Sequence, residues 1–201
     1  MEAVTLPTAY LAPCQYYCAL LGEGGAVIDG REPYRKQTYR NRCEIAGANG
    51  RFTLSIPVEK RASPVSPTRD IRISDHGNWR HLHWRAIMSA YNNSPFFEYY
   101  ADDFEPFYRG RRWSFLFDFN EDMRRMICVL LDIEPAITYT THLTTSPSHL
   151  FPSPIATPTP YYQVFADKQG FLPNLSIIDL LFNMGPESIF TLLPAATGRL
   201  V

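Results

Sequence analysis

Hydrophobic and polar residues recur at two periods along the chain, and these periods predict where strands and helices lie. Short apolar runs or strict alternation predict strands at 3–7, 25–29, 71–74 and 136–140, and a hairpin made of 36–47 and 51–58. Repeats of three and four residues predict helices at 79–91 and 123–131, and proline, glycine and capping residues at the ends predict helices at 13–22, 94–108 and 174–185. Strands and helices therefore alternate for most of the chain.

This order of elements predicts an α/β fold, with a mixed β-sheet flanked by helices in a single layered domain over residues 1–201. The domain begins with an N-terminal β-α unit and a β-hairpin, has a helical middle, and ends in C-terminal helices. Asp75 or Asn78, Asn120 and Asn174 are the candidate N-terminal caps of three helices.

Residues 144–160 differ in composition from the rest of the chain, because they include five prolines and seven serines or threonines. Such a segment has too few apolar side chains to repay the entropy of ordering it. We therefore expect a mobile surface loop at 144–160.

The charge of the chain is nearly balanced, with 19 basic and 20 acidic residues and a formal net charge of -1. A protein that coats nucleic acid needs excess positive charge to displace counterions. We therefore expect no DNA partner, and an RNA partner is disfavoured. Hydrophobic residues make up 45% of the chain, which is typical of globular proteins.

No segment approaches the roughly 18 uninterrupted apolar residues that a membrane helix requires. The N-terminus lacks the basic region of a signal peptide, and the four cysteines include no CxxC pair. We expect a cytoplasmic protein without membrane insertion. P-loop, dinucleotide-binding, serine-hydrolase and zincin motifs are absent from the sequence, so no cofactor and no metal is predicted.

The stretch YRKQTYRNR, residues 34–42, places four cations within nine positions. Lys36, Arg40 and Arg42 would project from one side of an extended segment, where guanidinium groups can bind phosphate or carboxylate in bidentate fashion. Tyr39 and Asn41 would lie on the opposite side. The alternative is a solvated strand face.

His83 lies on the apolar face of its predicted helix, one turn from Trp79 and one turn from Ile87. A histidine in such a place needs a hydrogen-bond partner, and its sensitive pKa suits a general acid or base. The alternative is a core histidine that is bonded to a backbone carbonyl.

Asp179 is the only polar residue between 177 and 182, and with Ser176 and Asn183 it forms a thin polar line on an apolar helix. This line faces either water or a site. If it faces inward, Asp179 needs a cationic or hydroxyl partner. Arg40 and Arg42 are the candidate partners.

Five segments, in this order, resemble the WbqC-like protein family in its Bacteroidetes-type form: YLAPCQYYCALL, YRKQTYRNRCEIAGANG, LSIPVEK, NWRHLHWRAIMSAYNNSPFFEYY and GFLPNLSIIDLLFNMGPE. The resemblance runs from about residue 10 to residue 187, apart from the Pro/Ser/Thr segment. Many relatives have a Gln-Pro pair, and then Pro and Trp, where this chain has Pro7, Thr8, Ala12 and Pro13. Met184 stands where others often have Glu.

The resemblance implies a role in the synthesis of bacterial surface polysaccharide such as O-antigen. Family members are regarded as transferases that attach glycine or a related acyl group to an amino sugar carried on a nucleotide. The implied partner is a phosphate-bearing small molecule, and the implied catalytic residues are His83, which would take the proton from the attacking amine, and Asp179. The implied substrate-binding residues are Tyr10, Tyr16, Lys36, Tyr39, Arg40, Asn41, Arg42, Trp79, Tyr91, Asn174 and Asn183. Pro95, Phe97 and Gly185 complete the motif residues.

Two other functions compete with a transferase. A non-catalytic binding or scaffold protein would use the same cationic segment to hold a nucleotide-linked ligand or a partner. An RNA-contacting protein would place its arginines on phosphates and stack its tyrosines on bases, although the balanced charge counts against this function.

Overall fold

The computed structural model describes residues 2–60, 63–142 and 159–197. The strands are β1 (Val4–Pro7), β2 (Ala26–Asp29), β3 (Arg42–Gly47), β4 (Gly50–Ser55) and β5 (Ile137–Tyr139). The helices are α1 (Cys14–Leu20), α2 (Trp79–Tyr91), α3 (Phe97–Tyr108), α4 (Leu116–Leu130), α5 (Ala166–Gln169), α6 (Ile177–Met184) and α7 (Ser188–Thr197). This alternation confirms the predicted α/β class.

β1, β2 and β5 form a parallel sheet in which β2 lies in the middle. α1 connects β1 to β2, because two parallel strands cannot be joined by a tight turn. Leu6 on β1 and Ile28 on β2 are both 0% exposed, so the sheet contributes directly to the core. The predicted N-terminal β-α unit is therefore present.

β3 and β4 form an antiparallel hairpin in which Gly47 pairs with Gly50 across the turn. The φ angle of Gly50 is 112°, a conformation that residues with a Cβ rarely adopt. Side chains alternate along β3, so that Cys43 faces the core while its neighbours Arg42 and Glu44 face outward. The sequence predicted one mixed sheet. In the structure the parallel strands form one sheet and the antiparallel strands form another.

Aromatic rings join α2, α3 and α6 in the core. The ring of Phe182 on α6 contacts those of Tyr91, Phe97 and Phe104, with centroids 5.2 to 5.3 Å apart. Burying one such side chain contributes about 1.5–3 kcal/mol. These contacts fix the position of α2 relative to α6.

The segment between residues 36 and 41 differs from the prediction. It forms turns, and β3 begins only at Arg42. Gln37 has a φ of 61°, which interrupts any extended conformation. Lys36, Arg40 and Arg42 therefore do not project from one face of a strand, and that prediction was wrong.

Two of the predicted helix caps are also wrong. α4 begins before Asn120, which lies inside the helix and donates its Nδ2 hydrogen to the Arg40 carbonyl oxygen at 2.8 Å. Ser176, and not Asn174, precedes α6. In the predicted strand at 71–74, only Arg72 and Ile73 form isolated β-bridges, and no regular strand is present. These differences reflect long-range contacts that override the local pattern.

The predicted loop at 144–160 lies almost entirely outside the described residues. Residues 159 and 160 are exposed and have no regular secondary structure, and residues 144–158 are not among those described. Within the described ranges, no helix combines the length and the apolar character needed to cross a membrane.

Candidate functional site

His83 ends a chain of hydrogen bonds that runs through two buried tyrosine hydroxyls. The Tyr10 hydroxyl lies 2.9 Å from His83 Nδ1 and 2.8 Å from the Tyr108 hydroxyl. Tyr10 follows β1, His83 lies on α2 and Tyr108 ends α3, so three separate segments build this chain. Trp79 packs edge-on against the imidazole, with ring centroids 5.0 Å apart. We call the Tyr108–Tyr10–His83 chain the tyrosine relay.

The protonation states of the tyrosine relay follow from its burial. Burial lowers the pKa of His83 to about 4, and a hydrogen bond with the Ser55 backbone acts in the opposite direction. The imidazole is therefore neutral near pH 7. A ring N–H that donates to the Ser55 carbonyl leaves Nδ1 to accept from the Tyr10 hydroxyl. Burial also raises the pKa of Tyr10 and the pKa of Tyr108, so both hydroxyls keep their protons.

Tyr108, the last residue of the relay, forms part of the wall of a cavity of about 200 Å³. Trp79, Asp75, Arg80 and Arg111 also line this cavity, which we call the α2 cavity. One Asp75 oxygen accepts from Arg80 Nη1, and the other lies 3.3 Å from Arg111 Nε. Two guanidinium groups thus share one carboxylate, which leaves a net charge of about +1 on the three side chains.

The first turn of α2 supplies more positive potential to this cavity. Trp79, Arg80 and His81 belong both to that turn and to the cavity wall. The preceding residue, Asn78, has a φ of 49°, and its side chain makes no capping hydrogen bond. The N–H groups at the start of a helix attract anions. The α2 cavity therefore combines two arginines with a helix N-terminus.

Asp179 forms the centre of a second buried cluster. Its Oδ1 accepts from the Tyr91 hydroxyl at 2.9 Å. Its Oδ2 accepts from the Tyr161 hydroxyl at 2.7 Å and from Gln163 Nε2 at 2.9 Å. The side chain is 0% exposed, so the polar line on α6 faces inward. We call Asp179 and its three donors the Asp179 cluster.

The Asp179 carboxylate is satisfied by hydroxyl and amide donors. Burial raises the pKa of Asp179, and the hydrogen bonds from the cluster lower it again in part. A hydroxyl partner was one of the two kinds predicted for an inward-facing Asp179, and two tyrosine hydroxyls take that place. The candidate pairing with Arg40 or Arg42 was wrong. Tyr91, predicted to bind substrate, uses its hydroxyl here.

Asn183 links the C-terminal helices to the preceding segment. Its Nδ2 donates to the Asp179 carbonyl oxygen at 2.7 Å, and its Oδ1 accepts from the Val164 N–H at 3.1 Å. Both groups of the amide are therefore bonded within the protein, and Asn183 is 3% exposed. Asn183, which was predicted to bind substrate, therefore has a structural role in the packing of α6.

Arg40 is paired inside the protein. Its Nε donates to Glu32 Oε1 at 2.7 Å and its Nη2 lies 2.6 Å from the same oxygen, while Nη1 donates to Thr38 Oγ1 at 3.2 Å. The side chains of Arg40 and Glu32 are both 0% exposed. Arg40 presents no open edge to a phosphate, which corrects its predicted role. Lys36 is exposed on the turn before it.

Tyr39 and Arg42 line a different cavity, of about 230 Å³, on the outer face of the hairpin. We call it the hairpin cavity; its other lining residues are Gln37, Thr38, Glu44 and Thr53. Cys43, the residue after Arg42, is buried beside Tyr10 and raises the pKa of that tyrosine. Because side chains alternate along a strand, β3 separates the hairpin cavity from the tyrosine relay.

The remaining predicted substrate-binding residues have partners within the protein. The Tyr16 hydroxyl donates to the Pro7 carbonyl at 3.0 Å, and Asn41 Nδ2 donates to the Ile56 carbonyl at 2.9 Å. Two hydrogen bonds of 3.2 Å join Asn174 to Gln15: the Gln15 backbone N–H donates to Asn174 Oδ1, and Asn174 Nδ2 donates to Gln15 Oε1.

The basic segment, His83 and Asp179 do not meet in one cleft, as a single substrate site made of the implied residues would require. His83 and Tyr91, the α2 residue that bonds to Asp179, are eight residues apart, which is about 12 Å along a helix. The basic residues lie in three different environments. Tyr10, Trp79 and His83 lie together next to the α2 cavity, whereas Tyr39 and Arg42 line the hairpin cavity.

Residues of the α2 cavity that were not predicted as site residues include Asp75, Arg80, Tyr108 and Arg111. A signal existed in the cations of NWRHLHWR at 78–85, which the apolar stripe of the same helix obscured. Nothing in the local pattern joins Tyr108 to Tyr10, because they are 98 residues apart. Within the described ranges, no group of three or more His, Cys, Asp or Glu side chains could hold a metal ion.

One comparison with known proteins identifies a family. A family model described as the WbqC-like protein family matches residues 9–151. The uncharacterized protein Rv1507c of Mycobacterium tuberculosis is 26% identical over 189 residues, which cover 77% of this chain and 81% of that protein. No solved structure matches the chain.

Proposed function

Because the chain belongs to the WbqC-like protein family, we propose that it transfers an acyl or aminoacyl group of the glycine type to a nucleotide-linked amino sugar, in the synthesis of bacterial surface polysaccharide. The observation that carries this proposal is the tyrosine relay, which connects a neutral imidazole to the wall of a cationic cavity. Such an acceptor carries both a phosphate and an amine, and the α2 cavity offers groups for each.

The phosphate would bind between the arginines and the start of α2. Arg111 is 76% exposed in its side chain and can leave Asp75 for a ligand at little cost. Arg80 is held by Asp75 and lies over the Trp79 ring, with Cζ 4.6 Å from the centroid. A cavity of about 200 Å³ suits a diphosphate and leaves the rest of a sugar nucleotide outside.

The amine would react at the Tyr108 end of the cavity. Its nitrogen attacks the acyl carbonyl carbon, the new N–C bond forms, and the bond to the leaving group breaks. The nitrogen becomes strongly acidic as it bonds to carbon, so even a base with a pKa of about 4 can accept its proton. The proton moves to the Tyr108 oxygen while the Tyr108 proton moves to Tyr10 and the Tyr10 proton to His83 Nδ1. Neither tyrosine becomes charged in this transfer.

The donor would be an activated acyl group, such as a thioester, an acyl adenylate or an aminoacyl-tRNA. Each provides a leaving group that departs with the electron pair of the broken bond. The transfer needs no oxidant or reductant. A cytoplasmic location would give the protein access to nucleotide-linked sugars.

Product formation tests the proposal directly. The protein is incubated with amino-sugar nucleotides and glycyl donors of the three classes, and the acylated sugar is measured by mass spectrometry. We expect Tyr108→Phe and His83→Gln to lower kcat about 10²- to 10⁴-fold, the usual contribution of general acid–base catalysis. Arg111→Gln should mainly raise KM.

Tyr100→Phe is the matched control, because Tyr100 is 3% exposed on the same helix as Tyr108 and lies outside the relay. Its kinetics should equal those of the unmodified protein. Product that forms at the normal rate in both relay variants would remove the relay from the chemistry. Binding of the nucleotide without product for any donor would favour a non-catalytic binding protein.

A further inference from the structure

Within the described part of the chain, Arg42 differs from the arginines beside the two cavities in having no carboxylate partner. Among the described residues, its side chain makes no hydrogen bond and no ion pair, and its Nε is buried. Arg40, Arg51, Arg80 and Arg111, by contrast, are each paired with a carboxylate. A buried N–H group that has no acceptor is unfavourable, and the Arg42 Nε–H is such a group although the rest of the side chain is partly exposed. The position of Arg42 therefore calls for a ligand.

The unpartnered Nε belongs to the edge of the guanidinium that can donate two parallel hydrogen bonds. Nε–H and the adjacent Nη–H of a guanidinium form a two-donor edge that matches the two oxygens of a carboxylate. In Arg42 this edge belongs to a residue that lines the hairpin cavity. The strand holds the backbone of Arg42, which pairs with Ser55 in the hairpin, so the guanidinium starts from a rigid element.

The charge around the hairpin cavity limits the ligand. Glu44 is the other charged residue of the wall, and one of its oxygens is 2.7 Å from Arg51 Nη1. Arg42, Glu44 and Arg51 together carry a net charge of about +1, which suits a singly charged anion. A doubly charged phosphate would meet repulsion from Glu44. Tyr39, half-buried in the same wall, offers an aromatic surface for the body of the ligand.

We propose that the hairpin cavity binds the carboxylate group of a small molecule through the Nε edge of Arg42. A volume of about 230 Å³ is equivalent to about seven or eight waters at their share of the liquid, enough for a carboxylate with a short organic body. The site lies on the opposite side of β3 from the tyrosine relay. It does not rest on the proposed transferase function.

Arginine Nε–H NMR signals test this site on the full-length protein. The Arg42 signal is assigned by its absence from the Arg42→Lys variant. Acetate, inorganic phosphate and chloride are then titrated separately at constant ionic strength. We expect a saturable shift of the Arg42 signal with acetate, a weaker response to phosphate, and no saturation with chloride.

Arg42→Lys keeps the charge and removes the two-donor edge, so acetate affinity, measured from the chemical shifts of neighbouring backbone amides, should fall about tenfold. Arg125→Lys is the control, because Arg125 is exposed and paired with Asp122 on α4. The affinity of this variant for acetate should equal that of the unmodified protein. Unsaturable acetate shifts, tighter binding of phosphate than of acetate, or unchanged affinity in Arg42→Lys would each overturn the inference. None of these results depends on whether an acyl group is transferred.

Discussion

The tyrosine relay and the Asp179 cluster use the same kinds of side chain for different ends. In each, a buried titratable group on or against α2 bonds to tyrosine hydroxyls, as His83 bonds to Tyr10 and Asp179 to Tyr91. The three donors to Asp179 belong to the protein and surround the carboxylate. The relay, in contrast, extends to Tyr108 in a cavity wall. Access to a cavity, more than residue type, separates a candidate catalytic group from a structural one.

The Asp179 cluster holds together parts of the chain that are distant in sequence. Tyr91 ends α2, Tyr161 and Gln163 precede α5, and Asp179 lies on α6. Each donor that bonds to a buried carboxylate would lose a partner if that group were removed. The cluster should therefore affect stability strongly, whereas the relay should affect stability little and activity strongly.

The largest expected effect is that of Asp179→Ala on stability. The substitution leaves the hydroxyl hydrogens of Tyr91 and Tyr161 and one hydrogen of Gln163 without their acceptor in a buried site. We expect the free energy of unfolding to fall by about 4 kcal/mol. Chemical denaturation measures this loss. A change below about 1 kcal/mol would show that the cluster does not hold these segments together.

The pH dependence of stability should reveal the burial of His83. Its pKa is 6.5 when unperturbed and about 4 in the folded protein. Between these values the unfolded chain binds more protons at this position, so stability increases with pH. The contribution is fully present above pH 6.5 and is lost as the pH falls toward 4. It amounts to about 3 kcal/mol at 1.36 kcal/mol per pKa unit.

His83→Gln isolates this contribution, because glutamine does not titrate and can still accept from Tyr10. The unfolding free energy of both proteins is measured from pH 4 to pH 7.5, and the difference between them is followed. Asp179 has a raised pKa and acts in the opposite direction in both proteins, so it cancels in that difference. Parallel pH curves would mean that His83 is not buried in its neutral form.

Single hydroxyl deletions give the smallest effects and compare the two regions directly. Tyr161→Phe removes a hydrogen bond to a carboxylate and should cost about 2 kcal/mol, whereas Tyr108→Phe removes one between neutral hydroxyls and should cost about 1 kcal/mol. Tyr100→Phe, the control, should change stability by less than about 0.5 kcal/mol. Thermal and chemical denaturation measure all three. The reverse order would contradict the division into structural and catalytic clusters.

The strands and long helices were predictable because each has a period that its own residues set. The stripe that predicts α2 includes Trp79, His83, Ile87 and Tyr91, and all four are buried. The turn at 36–41 was not predictable from alternation, because the same polar residues suit a strand face and a turn. The role of Asn120 was not predictable either. It lies inside α4, and its Nδ2 donates to the Arg40 carbonyl oxygen, which is 80 residues away in sequence.

The candidate site was predictable only in part. The sequence identified His83, Tyr10 and Trp79, and the structure places them together. The sequence also suggested that neighbouring cations act together. In the structure, however, Arg40 pairs with Glu32 inside the protein and Arg42 lines the hairpin cavity. Charge pairing depends on which distant side chains approach, and local spacing carries no information on that approach.

The sequence by itself determined the α/β class, the principal helices, the hairpin and the family, because periodicity and ordered motifs are properties of the chain. Only the tertiary structure decided which polar groups are joined. Tyr10 meets Tyr108 across 98 positions, and Asp179 meets Tyr91 across 88. A hydrogen bond extends about 3 Å, so which groups it connects is fixed only when the helices pack.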